Sequence, residues 1–381
     1  TRLTLVTGVQ TCALPILIFG MADAQDRRQM GGIYHAYPYA SKADNLVDDI
    51  PEGYTPFYLS HYGRHGSRWM TNDERYEWLY SYFADRKNLT PLGRKVEKAM
   101  RKVLDNARGN GGRLSRLGAI QHEGIARRMY SRLPQIFAPG NRVKARASVV
   151  DRCVKSMQAF TAMMQSLQPA LEMDITADSA DMAWIAYTAP EVKELEKSLN
   201  IVARTNPERF MAQLFKDPSR VAEHMRFMSE MQAVTSSLQD VGLNFKRYPK
   251  DIEMLFDGLF TDDEFRAFYC ANNLRMTICN GNYATNDGIP ARSALSLWQN
   301  IVDEADAALM SAKPSATLRF GHDTSLYRLL TLLNMRYNNP YPLHPDTQQA
   351  VDSEHSDLMD VVVPMAANLQ MVFYRKTTPD A

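Results

Sequence analysis

The sequence predicts an α/β protein: a mostly parallel sheet flanked by helices, with an inserted, mainly α-helical cap domain. Three observations predict it. Strand-like and helix-like segments alternate between residues 57 and 167. From about 175 to 300 the alternation gives way to successive helical segments rich in Met, Glu and Lys, broken by Pro190, Pro207, Pro218 and Pro249. A strand-then-helix pattern resumes at Ala316. The expected division is an α/β core built from residues 25–172 and 309–381 around a helical cap at 173–308, with residues 1–24 set apart.

The elements follow in order. Residues 25–55 are polar and turn-rich with Tyr34, Tyr37 and Tyr39 interspersed, and predict an irregular arm. Phe57–Tyr62 is aromatic-rich and bounded by Pro56 and Gly63, as a strand would be, and Gly63–Arg68 continues as a loop towards a helix. Residues 91–108 and 115–133 carry helical periodicity, with Thr90 and Ser115 placed to cap them. Val143–Ser148 alternates apolar and polar residues as a strand, and Asp151–Leu167 is helical, closed by Pro169. Ala316–Gly321 predicts a strand, and the helix starting near Thr324 carries Leu326, Leu329, Leu330 and Leu333 on its apolar face. Two further strands are expected at Asp360–Val363 and Leu369–Arg375.

Composition narrows the partners. The 381 residues are 45% hydrophobic, ample for a large core, and carry 44 basic against 43 acidic side chains, a net charge of +1. Nothing global therefore draws the chain to nucleic acid or to an anionic membrane surface, and an anion site must be local. No stretch approaches the ~20 apolar residues of a membrane span. The four cysteines, Cys12, Cys153, Cys270 and Cys279, are too few for a disulfide scaffold. Cys270 and Cys279 either pair in an oxidising compartment or stay free.

Leu17–Met21 is short and apolar, and Ala22-Asp23-Ala24 has the small-x-small form of a signal-peptidase site, which predicts cleavage before Gln25 and a periplasmic or secreted protein. Val6–Ile16 resembles translated sequencing adapter, so residues 1–16 carry no weight for the fold. The alternative there is an N-terminal strand.

Chemistry concentrates in three places. Arg64-His65-Gly66-Ser67-Arg68 follows a strand. Guanidinium forks match phosphate oxygens, Gly66 lets backbone approach, the helix expected next would aim free N–H groups at an anion, and His65 could attack phosphorus with a ring nitrogen. The bland alternative is an exposed basic turn. Gly321-His322-Asp323-Thr324 also stands between strand and helix. Ligands gather at the carboxyl ends of parallel strands, which places this loop near the first one. His322 can donate to a phosphoryl oxygen and Asp323 can protonate a leaving alkoxide, or Asp323 is simply a helix cap. Thirdly, Arg152 opens a helix after a strand, where its guanidinium could join the anion site. The remaining histidines, His35, His61, His122, His224, His344 and His355, have no ligand-like spacing, and His61 is expected to pack in its strand.

In combination these segments resemble the histidine phosphatase superfamily, in its acid-phosphatase and phytase branch. Residues 64–68 match its RHG-x-R signature. Leu114–Gly118 with Gln121 is similar to its L-T-x-x-G-x-x-Q stretch, and Arg146 to Ser156 to its R-x-T-x-x-x-R-x-x-x-S stretch, with Ser115 and Ser148 where threonine is usual. His322-Asp323 matches its His-Asp pair, and Pro364–Leu369 its last-strand region. The resemblance covers about residues 54–170 and 314–375. It implies His65 as nucleophile, Arg64, Arg68, Arg152 and His322 as phosphate ligands, and Asp323 as proton donor, with no metal and no cofactor. The related multiple inositol polyphosphate phosphatases typically carry His-Ala-Glu where this chain has His322-Asp323-Thr324. The chain therefore leans to the acid-phosphatase side, inositol polyphosphates staying open as substrates. The expected partner is a small phosphate ester. The alternatives are mutase-like phosphoryl transfer, disfavoured by Asp323 and by export, and a non-catalytic phosphate-ester binder.

Overall fold

A computed structural model describes residues 8–11, 27–37, 50–283, 286–335 and 362–377. Six strands form one sheet: β1 (Gly8–Thr11), β2 (Tyr54–Arg64), β3 (Arg142–Ala147), β4 (Glu172–Thr176), β5 (Ser315–Gly321) and β6 (Asn368–Lys376), in the order β1-β6-β2-β5-β3-β4. β2, β5, β3 and β4 run parallel, and β6 lies antiparallel to both β2 and β1. Gly8–Thr11, inside the stretch set aside as adapter-like, thus follows the alternative of an N-terminal strand. Edge pairing asks only for backbone donors and acceptors, whatever the side chains.

Between β2 and β3 come α1 (Glu74–Ser81), α2 (Pro91–Ala107) and α3 (Arg116–Arg132); α4 (Asp151–Leu167) links β3 to β4. Thr90 and Ser115 cap α2 and α3, their side chains accepting from the N–H groups of Gly93 and Gly118. After β4 follow α5 (Met182–Ile185), α6 (Pro190–Ser198), α7 (Glu208–Leu214), α8 (His224–Val241), α9 (Lys250–Asp257), α10 (Asp262–Asn280), α11 (Ile289–Arg292) and α12 (Leu295–Leu309); α13 (Asp323–Leu332) follows β5.

Three apolar clusters hold these layers. One face of the sheet (Leu59, Val143, Ala145, Leu318, Phe320) packs on Ile125 and Met129 of α3 and Met157 and Phe160 of α4. The other (Tyr58, Tyr62, Leu369, Met371) packs on Leu297 and Ile301 of α12 and Leu326 and Leu330 of α13. A third cluster stands beside the sheet and joins Leu79 of α1 and Val96 and Met100 of α2 to Phe210, Met228, Leu238, Phe256 and Phe265 of α7–α10. The helical lobe therefore draws on residues before β3 as well as on the insertion, because an amphipathic face shows that a helix is covered but not by which partner.

Other differences from the sequence reading have local causes. β4 is not anticipated by the sequence: Glu172–Thr176 leaves its side chains half-buried to exposed on the sheet edge, so no apolar alternation marks it. Asp360 and Val361 lie outside the described residues, while Val362 and Val363 are buried but not in a strand. Among the described residues Cys270 and Cys279 are both unpaired. They share α10, and nine residues of helix separate them by about 13 Å, beyond disulfide reach. Cys12, the signal-like segment, Tyr39, His344 and His355 lie outside the described residues. None of the described helices is long and apolar enough to cross a membrane.

Candidate active site

The site sits at the carboxyl ends of β2 and β5, neighbours in the sheet although about 250 residues apart in sequence. Register brings Arg64 opposite Gly321, and just past the strands His65 N donates to Gly321 O at 3.0 Å. β6 closes the other flank: Arg64 N donates to Ala367 O at 2.8 Å and Ala366 N to His65 O at 3.0 Å. The segment after Arg68 does not start a helix as expected. Trp69 and Met70, both buried, run into the helical lobe, with Trp69 stacked at a tilt on Phe245, and α1 begins only at Glu74. The N-terminal end of α3 meets the loop, its capping Ser115 donating through N and Oγ to Ser67 O at 2.8 and 2.9 Å. Gly66 and Gly118 meet backbone to backbone there, and a Cβ on Gly66 would lie 2.5 Å from Gly118 O.

His65 is buried, and its Nδ1 lies 2.9 Å from Gly66 O. A carbonyl only accepts, so Nδ1 carries the hydrogen and Nε2 keeps its lone pair. Burial, then the charges of Arg64, Arg152, Arg68 and His322, hold the ring's pKa well below the ordinary histidine value, so it stays neutral and nucleophilic. The His322 ring stands edge-on to His65 at 5.9 Å, with Nε2 3.0 Å from Ser148 Oγ. Burial and Arg152 lower its pKa to about 4.

Arg64 is wholly buried; Nη1 donates to Val363 O at 2.5 Å and Nη2 lies 2.9 Å from Asp323 Oδ2. Asp323 also accepts from Thr324 N at 2.8 Å through Oδ1, so it serves its helix and faces the site. Burial alone would raise its pKa, but Arg64, Arg68 and His322 outweigh that and hold the carboxyl below its ordinary value. Arg68 gives Nη1 to Trp69 O at 2.8 Å. Its Nε, that of Arg64 and that of Arg152 are buried without hydrogen-bond partners among the described residues. Three guanidinium groups with orphaned donors around a neutral imidazole form a built receptor for a compact anion.

All six residues singled out from the sequence thus gather at one edge of the sheet. Arg146, quoted in the same stretch, turns away to Asp174 at 2.7 Å. Two others matter that sequence reasoning gave no role: Ser156, whose Oγ accepts from Gly66 N at 3.1 Å, and Asp240 of α8, whose carboxyl group accepts from Ser67 Oγ at 2.5 Å. The only sequence signal for Asp240 is an acid between Leu238 and Val241 on a helix side otherwise given to apolar and small residues. His61 and His122 pack around Phe320 beneath the site, at 5.3 and 5.7 Å between rings. No group of three or more His, Cys, Asp or Glu among the described residues is placed to hold a metal ion.

The fold matches solved structures. A Bifidobacterium longum multiple inositol polyphosphate phosphatase in complex with inositol hexasulfate superposes with a TM-score of 0.69 at 17% identity, over 92% of this chain and 89% of that one. A phytase from D. castellii gives 0.61 at 14% identity, over 92% and 76%. In sequence, multiple inositol polyphosphate phosphatase 1 of Gallus gallus is 26% identical over 277 residues, 69% of this chain; the match spans 59% of that relative's length. The sequence pattern of the histidine phosphatase superfamily (branch 2) covers residues 63–380, from the strand end that bears Arg64 to beyond β6. With the residues of that span gathered as described, the chain belongs to the histidine phosphatase superfamily, branch 2.

Proposed function

We propose that the protein hydrolyses phosphate monoesters through a phosphohistidine on His65. One observation carries this reading: a neutral imidazole with a free Nε2 stands among three arginines, with the Asp323 carboxyl 2.9 Å from one of them. In the first step Nε2 attacks phosphorus, the P–O bond to the alcohol breaks, and Asp323 gives its proton to the departing oxygen. In the second, the same carboxylate takes a proton from water as the water attacks the phosphohistidine, which releases inorganic phosphate and His65. Arg64, Arg68 and Arg152 spread positive charge over the three non-bridging oxygens and His322 donates a hydrogen bond to one of them, which is most of what phosphoryl transfer asks of a protein. Before substrate binds, Arg64 favours the ionised form of Asp323. A bound dianion competes for that guanidinium and adds its own negative charge, so the carboxyl regains a proton as substrate arrives.

The substrate class in this proposal is a compact molecule carrying several phosphates, inositol polyphosphates included. An open cavity of about 1130 Å³ shares Arg152 with the site and is lined further by Arg113, Arg116 and Lys155 against one acid, Asp151, which gives it cations beyond those needed for one phosphoryl group. The relatives named for inositol polyphosphates and the phytase fit this class. Export on the signal-like segment ending at Ala24 belongs to the same proposal, as does a division into an α/β core and a helical cap, with the expected bounds of 25–172 and 309–381 against 173–308 shifted so that β4 and α12 fall to the core and α1 and α2 to the helical lobe. The test is release of inorganic phosphate from an aryl phosphate and from phytate at mildly acidic pH. His65→Ala should reduce both to near background, and retention of most activity would remove His65 as nucleophile.

A further inference from the structure

Asp240 lies in the last turn of α8, wholly buried, behind the phosphate loop. The hydrogen positions around it follow from its neighbours. Ser67 N donates to Gln121 Oε1 at 2.8 Å, which turns the amide nitrogen of Gln121 to Ser67 Oγ at 3.0 Å. Ser67 Oγ therefore accepts from Gln121, and its single hydrogen goes to Asp240 Oδ1, 2.5 Å away. Oδ2 is buried with no hydrogen-bond partner among the described residues. Arg64 and Arg68 face the carboxyl from the loop, and Tyr248 faces it from the segment after α8.

We propose that Asp240 is a positioning residue: through Ser67 it holds the backbone of Gly66–Arg68 in the course that sets His65 and the arginines around one phosphoryl group, and so ties the helical lobe to the site. The proposal rests on the reading of the site given above. Its electrostatics agree with its geometry. An ionised carboxyl here would offset an arginine charge. Burial instead pushes Asp240 up to about 8, although Ser67, Arg68 and Arg64 act the other way. It stays neutral in acid and neutral solution. In alkali it gains a negative charge behind Arg64 and Arg68 and weakens their hold on a dianion.

The experiment uses the full chain with Asp240→Asn, Asp240→Ala, Ser67→Ala and the Ala–Ala double variant. It reads kcat/KM on an aryl phosphate at about pH 5.5, calorimetric affinity for inorganic phosphate between about pH 7.5 and about pH 9.5, and thermal melting as a check of folding. Asp240→Ala and Ser67→Ala should each lower kcat/KM at least about tenfold, the double variant no further than the worse single, because they break one hydrogen bond. Asp240→Asn keeps an acceptor for Ser67 and should recover to within about threefold. Wild-type affinity for phosphate should fall at least about threefold across the alkaline range, and that of Asp240→Asn should not. Single-variant losses that multiply, wild-type kcat/KM in Ser67→Ala, or the same alkaline fall in Asp240→Asn would overturn the proposal. Should Asp240→Ala not fold, Ser67→Ala and Asp240→Asn decide it alone. An inactive wild type would sink the phosphatase reading, while the phosphate affinities would still judge Asp240.

Discussion

Acid solution, where the proposed chemistry works, is also where two buried histidines weaken the fold. His61 and His122 both pack against Phe320, each about 1% exposed. Burial lowers the pKa of both to about 3, and the facing charges of His122 and Arg319 add to the shift at His61. Their ordinary value is 6.5. Between those limits the unfolded chain binds more protons than the folded one, so stability is full above about pH 6.5, falls as pH drops, and stops falling below about pH 3. At about pH 5 each ring sits roughly 1.5 units below its unfolded pKa, a cost of about 2 kcal/mol. Against a typical net stability of about 5–15 kcal/mol, the pair takes a large share. His122→Leu, of similar volume, should therefore shrink the difference in unfolding free energy between about pH 7 and about pH 5 by about 2 kcal/mol. Urea unfolding followed by tryptophan fluorescence at both pH values measures it. A variant whose pH difference matches that of the wild type would refute the reasoning, because it would mean that His122 titrates normally in the fold.

The other expectations are shorter. Gly66→Ala pushes a Cβ to within 2.5 Å of Gly118 O, and should cost about 1–3 kcal/mol in unfolding free energy and at least about a hundredfold in kcat, since the loop bearing His65 must shift. Asp323→Asn should lower kcat/KM for alkyl phosphates, whose leaving groups need a proton, by about 10²–10⁴ and far more than kcat/KM for aryl phosphates, which should lose mainly kcat through slower hydrolysis of the phosphohistidine; equal losses of kcat/KM on both would argue against a proton donor. Arg116→Ala with Lys155→Ala should raise KM for phytate about tenfold or more and leave an aryl phosphate within about twofold, as both side chains line the cavity beyond Arg152. Thr261→Ala removes the capping box at the start of α10 and should lower stability by about 1 kcal/mol, read by thermal or urea unfolding, without changing kcat.

Much of this architecture is legible in the sequence because its signals are local. Thr90 and Ser115 mark helix starts through hydroxyls that reach only three residues along the chain, and α4 runs over Asp151–Leu167 as its periodicity predicts. Arg64, His65, Arg68, Arg152, His322 and Asp323 stand out because glycines, arginines and histidines cluster at strand ends, and a parallel sheet leaves them one edge at which to meet. What stays hidden is set by distant partners. Asp240 looks like any acid on a long helix until α8 is packed behind Ser67, 173 residues away. The same holds for α2, whose periodicity is plain in the sequence but whose partners in α7–α10 are not, while α1 carries too few apolar residues to be read at all. The helix expected straight after Arg68 failed for a related reason, since two large apolar side chains, Trp69 and Met70, are spent on the helical lobe first.

The place of β6 beside β2 has a consequence for biosynthesis. Arg64 and His65 leave the ribosome early, yet the carbonyls and amide that brace them come from Val363, Ala366 and Ala367, some 300 residues later. A nascent chain halted before that point would expose the loop of His65, the proposed nucleophile, without its bracing, even with Asp323 already made. On the proposed function, a ribosome-stalled series of lengthening chains should switch from inert to active only once residues through 376 have emerged from the exit tunnel.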